Sequence, residues 1–273
     1  MSRTTASALA LVLILMPALP LGAITNGVPD LADHYSNVGF MAVKYAGYPY
    51  LYLWCSGTLI APDVFLTASH CTIDLESGHA DGSIETAYVG FDRAFFTPQY
   101  QLLFEVDRAV TNPAYTLTHR SDDGDVAVLL LKESVTARAP GIRPARLPSA
   151  GLLDEMAAQG GLHGVKIPAV GYGDALVHYG NGQPFTYGFG FRSVGIQEYR
   201  ALGPGYLTAS MNPATGDGGT CYGDSGGPNF LGDGDLIIGV TVSGDTWCRA
   251  LSKIYRLDTE AARAFLQDYV TLP

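Results

Sequence analysis

His178 is the last of the six histidines in this chain, and the segment Gly219-Thr220-Cys221-Tyr222-Gly223-Asp224-Ser225-Gly226-Gly227-Pro228 lies wholly after it. The segment reads as a serine nucleophile. A serine hydroxyl is unreactive alone and needs a base to take its proton and donors to hold the charge that develops on an attacked carbonyl. Glycines on both sides of Ser225 let the backbone turn its amides toward that oxygen. The same G-x-S-x-G letters mark the nucleophile elbow of α/β-hydrolases, but there the histidine follows the serine, and here none does. Chain order therefore removes that fold and requires one in which the base comes from earlier in the chain.

The histidines available are His34, His70, His79, His119, His163 and His178. His70 ends the run Val64-Phe65-Leu66-Thr67-Ala68-Ser69-His70-Cys71, an apolar strand closed by a cysteine able to pin the turn, whereas the other five lie among polar or Gly-rich neighbours. The imidazole needs a carboxylate behind it to fix its tautomer and stabilise the imidazolium. Asp125 opens Asp125-Val126-Ala127-Val128-Leu129-Leu130-Leu131, a strand apolar enough to be buried, so its carboxylate belongs at the core boundary. Asp122 and Asp123 read as solvated loop charges. A subtilisin-like order would need an Asp before His70, which Asp63 supplies, but the repeated strand–helix alternation of that fold is missing.

Short apolar runs such as Val38 to Val43, Val126 to Leu131 and Leu236 to Val242 are separated by Gly, Pro, Asn and Asp clusters, the pattern of antiparallel β structure. Residues 136–148 carry Pro140, Pro144 and Pro148 and read as a connector. Near the end, Asp258 is placed to cap a helix whose Ala262, Phe265, Leu266, Tyr269 and Val270 share one face. At the other end, Arg3, an apolar run from Ala8 to Met16 and the small residue Ala23 read as a cleavable signal peptide over residues 1–23. The formal net charge of −10, one more negative once Arg3 is removed, argues against nucleic acid or anionic lipid as partners. Four cysteines in an exported chain point to two disulfides with three arithmetical pairings, of which local context favours Cys55–Cys71 and Cys221–Cys248. No C-x-x-C pair occurs, which speaks against a zinc site.

Four motifs in order, Ile24-Thr25-Asn26-Gly27, Thr67-Ala68-Ser69-His70-Cys71, Asp125-Val126-Ala127-Val128 and Gly223-Asp224-Ser225-Gly226-Gly227-Pro228, resemble those of the chymotrypsin-like (trypsin-fold) serine peptidases. The resemblance covers nearly the whole chain after residue 23. It implies an all-β fold of two antiparallel six-stranded β-barrels packed face to face, over residues 24–135 and 149–257, with a C-terminal α-helix and tail over 258–273. It implies that Ser225 attacks a peptide carbonyl, His70 carries the proton, Asp125 orients His70, and the N–H groups of Gly223 and Ser225 form the oxyanion hole. Asp224 would pair with the new α-amino group of Ile24, and Ser243 would border the primary pocket and support the buried aspartate. The alternatives are a non-catalytic binding protein on the same fold and a secreted esterase. Expected partners are polypeptide substrates and proteinaceous protease inhibitors, with no nucleic acid, metal or organic cofactor and no membrane after signal cleavage. A secreted monomer, extracellular or periplasmic, is expected.

Specificity is less legible. By the resemblance, Gly219 lies at the pocket base where trypsin-like members carry Asp, so the usual reason for Arg or Lys preference is missing, although Asp217 lies nearby. Lys253 and Tyr255 share a strand face by period-two alternation. If both point inward, Lys253 favours an acidic substrate side chain or is neutralised by Asp245; otherwise Lys253 reaches to water.

Overall fold

The computed structural model describes residues 24–116, 121–174, 176–180 and 183–273. The expected signal peptide and His119 lie outside the described residues. After a short strand β1 (Val28–Pro29), strands β2 (Val38–Tyr45), β3 (Leu51–Ala61), β4 (Val64–Thr67), β5 (Ile84–Gly90), β6 (Leu103–Thr111) and β7 (Ala127–Leu131) close a six-stranded antiparallel barrel in the order β2-β3-β4-β7-β6-β5. The second barrel uses β8 (Lys166–Gly171), then a hairpin of β9 (Leu176–Gly180) and β10 (Gln183–Tyr187). It continues with β11 (Ser193–Leu202), β12 (Tyr206–Ser210), β13 (Pro228–Phe230), β14 (Ile237–Gly244) and β15 (Leu251–Arg256). The β8–β11 pairing closes the ring β8-β11-β12-β15-β14-β13, and β1 adds to β11.

The apolar runs form strands because both their faces are covered. All of Val38 to Val43 in β2 is buried: Phe40 meets Phe95 within its own barrel and Tyr172 of the second, with ring centroids 5.2 and 5.3 Å apart. A strand buried on both faces reads as a continuous apolar run rather than an alternating one. Both expected disulfides are present, Cys55–Cys71 and Cys221–Cys248.

Helices are α1 (Ser69–Asp81), α2 (Val135–Arg138), α3 (Leu152–Ala158) and α4 (Glu260–Leu266). His70 therefore stands in the first turn of a helix, beyond the end of its strand. The terminal helix is capped by Thr259, whose side chain accepts from Ala262 N, and not by Asp258. Asp258 is instead buried, holding the Arg256 guanidinium and accepting from Leu153 N at 2.8 Å; an aspartate beside a buried arginine is committed to it before it can cap. Buried Ala262, Phe265 and Leu266 form its apolar face, while Tyr269 and Val270, expected to share it, lie past the helix end at Leu266. Among the described residues no helix is long and apolar enough to cross a membrane.

Candidate active site

The histidine and aspartate meet because β4 and β7 pair side by side, Thr67 opposite Ala127, so the residues just beyond their ends converge. Asp125 Oδ2 lies 2.8 Å from His70 Nδ1, and Asp125 Oδ1 accepts the His70 backbone N–H at 3.0 Å. A carboxylate only accepts, so Nδ1 carries the proton and Nε2 is left as the basic nitrogen. The neighbouring Ser69 hydroxyl lies 3.2 Å from Gly124 O and 2.8 Å from Val126 O, fixing the chain on both sides of Asp125. Asp125 is buried while His70 remains part-exposed, 9% against 30% for the side chains.

Ser225 lies on a turn between the barrels. Its carbonyl accepts Ser56 N at 2.8 Å, while Gly226 N donates to Thr241 O at 2.7 Å. Gly226 has φ +77° and any Cβ there would strike Thr67 Oγ1, so this position admits only glycine. The cavity lined by Ser225 and the cavity lined by His70, Tyr115 and Asp125 share Val242 and Ser243 as a common wall. Among the described residues, the N–H groups of Gly223 and Ser225 donate to no protein acceptor. Gly223 has φ +94°, which turns its amide out of the regular backbone path. Burial, with Asp125 and Asp123 nearby, pushes the Tyr115 hydroxyl up to about 12, so it stays protonated beside the imidazole.

Ser56 is a site residue that sequence reasoning missed. Its hydroxyl donates to Gly223 O at 2.9 Å and accepts Tyr172 N at 3.0 Å, bridging the turn before Ser225 to the end of β8. Its place beside Cys55 was the only signal, and it names no partner.

Asp224 is wholly buried and accepts the amides of Cys221 and Gly173, each at 2.8 Å. Burial pushes its carboxyl up to about 7, and among the described residues no cationic side chain pairs with it. Ile24 is also buried, against Gly27 and Gly195, and Thr25 exchanges two backbone hydrogen bonds with Gly219 at 2.8 and 2.9 Å. In the uncut chain Ile24 follows Ala23 through a peptide bond, so it offers Asp224 no amino group.

The structure separates several residues grouped as a pocket. Ser243 is exposed and lines both cavities, but it makes no hydrogen bond to Asp125; the buried neighbour in that wall is Val242. Lys253 and Tyr255 do share a face, but it turns away from the cavity beside Ser225: the ammonium lies 3.5 Å from the Tyr206 ring centroid. Asp245 lines that cavity, yet its carboxylate accepts the amides of Arg249, Ala250 and Leu251. Burial opposes its charge, and the amides of Ala250, Leu251 and Arg249 outweigh burial and hold its carboxyl below the usual range. Asp217 is buried toward Thr215 and Lys166, away from the cavity. Asp122 and Asp123 are not solvated loop charges: Tyr255 OH donates to Asp122 at 2.8 Å and Tyr206 OH donates to Asp123, which is 8% exposed. Their tyrosines come from β15 and β12, far along the chain. The only metal-type grouping among the described residues, Cys55, His70 and Cys71, has both thiols joined in the disulfide.

The family model described as Trypsin matches residues 32–260. A solved structure titled "HL collagenase structure" superposes with a TM-score of 0.64 over 90% of this chain and 98% of that one, at 16% identity, a likeness of fold. No curated protein sequence matches. With the family match spanning both barrels and the turn that carries Ser225, the chain belongs to the trypsin family of serine endopeptidases.

Proposed function

We propose that this endopeptidase is exported and cleaves polypeptides through an acyl-enzyme on Ser225. His70 Nε2 takes the hydroxyl proton as Ser225 attacks the carbonyl, then returns it to the leaving amine; water, activated the same way, releases the acid. Asp125 holds the ring in the working tautomer and stabilises the imidazolium. The N–H groups of Gly223 and Ser225 receive the oxyanion. The observation that carries this reading is the double hold of Asp125 on His70, through both the ring and the backbone N–H, beside two uncommitted amides on the Ser225 turn.

A fluorophosphonate should label the processed protein and fail to label Ser225→Ala. Asp125→Asn, which leaves the geometry but admits the wrong tautomer, should lower kcat by about 10³ to 10⁴. Absence of Ser225-dependent labelling would leave a binding protein on a peptidase fold, and turnover of simple esters without peptides would identify an esterase. Cleavage after Ala23 would create an amino terminus at Ile24 and supply the cation that buried Asp224 lacks, so that export itself completes the enzyme. Amino-terminal sequencing of active protein tests this, with a start upstream of Ile24 as the adverse result.

A further inference from the structure

The cavity beside Ser225 encloses about 240 Å³, below the roughly 300 Å³ at which small-molecule pockets begin. Thr220, the Cys221–Cys248 disulfide, Val242, Gly244 and Thr246 wall it in. Behind this lining lies Met211, the residue after β12, which is wholly buried. The thioether runs between two glycines: a methyl group on Gly219 would collide with Met211 Cβ and lie 2.6 Å from Sδ, and one on Gly244 would lie 2.9 Å from Cε. Gly244 is itself cavity wall and Gly219 directly precedes wall residue Thr220. Met211 is therefore packed directly behind Gly244 of the wall and the backbone leading to Thr220.

Asp245 is the charged residue that lines the cavity, and its carboxylate accepts the amides of its own loop. Thr220 Oγ1 and Ser252 Oγ lie 3.1 Å apart, both residues buried. The ionised groups nearest in sequence are engaged elsewhere: Asp245 on its own loop amides, Lys253 on the Tyr206 ring and Asp217 with Lys166. An acidic side chain entering here would lose its hydration and meet the Asp245 carboxylate, which is strongly unfavourable. A long one, apolar or basic, would have to displace Met211 from between two stretches of backbone.

Resting on the peptidase reading above, we propose that Met211 sets the depth of this pocket and confines cleavage to bonds that follow small, uncharged side chains such as alanine, valine, serine and threonine. Methionine is flexible, but here its length is fixed between Gly219 and Gly244. In a tight apolar pocket a single methylene discriminates by about 10- to 200-fold.

The test uses peptides differing only in the residue before the scissile bond, with kcat/KM referred to active sites counted by fluorophosphonate labelling. Wild type should favour alanine or valine over phenylalanine, arginine, lysine and glutamate by at least about tenfold. Met211→Ala should raise the phenylalanine-to-alanine ratio by about tenfold or more, whereas Met211→Leu, which conserves volume, should keep the wild-type order. A wild-type profile led by an aromatic, basic or acidic residue overturns the proposal, as does a folded Met211→Ala with an unchanged ranking. Should Met211→Ala not fold, the wild-type ranking decides. Labelling with the wrong ranking defeats this proposal alone; absence of both labelling and cleavage defeats the peptidase reading and this with it.

Discussion

The Ser56 hydroxyl occupies a position where two backbone strangers meet, Gly223 O and Tyr172 N, which lie 167 and 116 residues away in the chain. Ser56→Ala leaves both without this partner and frees the turn whose amides receive the oxyanion in the proposed mechanism. A drop in kcat of about tenfold, equivalent to roughly 1.4 kcal/mol, is expected with little change in KM, and steady-state kinetics on a peptide substrate checks it. At this scale the pairing of His70 with Asp125 was legible because each sits in a local context of its own, a cysteine-pinned strand end and the head of an apolar strand, and Ser225 stood out as a candidate by its glycine turn. Ser56 and Met211 were not, since their roles depend on residues brought close only by barrel closure. Gly219 was legible as the absence of a charge; that its missing Cβ makes way for Met211 was not.

Among the elements, the segment that carries Asp125 is braced from the other barrel. Tyr255 on β15 donates to Asp122 and Tyr206 on β12 donates to Asp123, while Gly205 N donates to Ser121 O at 3.1 Å. Tyr206→Phe strands a buried carboxylate and should cost about 1–3 kcal/mol, whereas Tyr255→Phe, at a less buried acceptor, should cost about 1 kcal/mol. For a chain of this size, thermal unfolding should register about 2–4 °C for each kcal/mol. Equal, negligible shifts in both variants would show that the brace contributes nothing. The strands themselves were readable from their apolar runs. Helix α1 was not, because its buried positions include Ser69, Thr72 and Gly78, residues small enough to pack closely but too polar or featureless to announce a helical face.

Asp224 sets a charge problem for the molecule as a whole: its carboxyl is wholly buried and, among the described residues, has no cationic side chain beside it. With its carboxyl at about 7 against a usual value near 3.9, the folded uncut chain binds a proton that the unfolded chain has already released. Stability therefore falls as pH rises from about 4 to 7 and is level above, by at most about 4 kcal/mol. A free amino group at Ile24 would pull the carboxyl down and remove that slope. Urea midpoints of Ser225→Ala protein at pH 5 and pH 8, with and without residues 1–23, decide the matter: the uncut form should lose more at pH 8. An identical loss in both forms would show that the amino terminus never reaches Asp224.

Thr25 and Gly219 hold each other by two backbone hydrogen bonds, and Gly219 in turn lies against Met211. On the proposed reading, the first residues of the processed chain thus pack behind the pocket that takes the substrate side chain. Anything left ahead of Ile24, an uncleaved leader or a purification tag, should be read out as altered selectivity as well as lowered rate. A substrate profile taken on tagged protein would describe the tag as much as the enzyme.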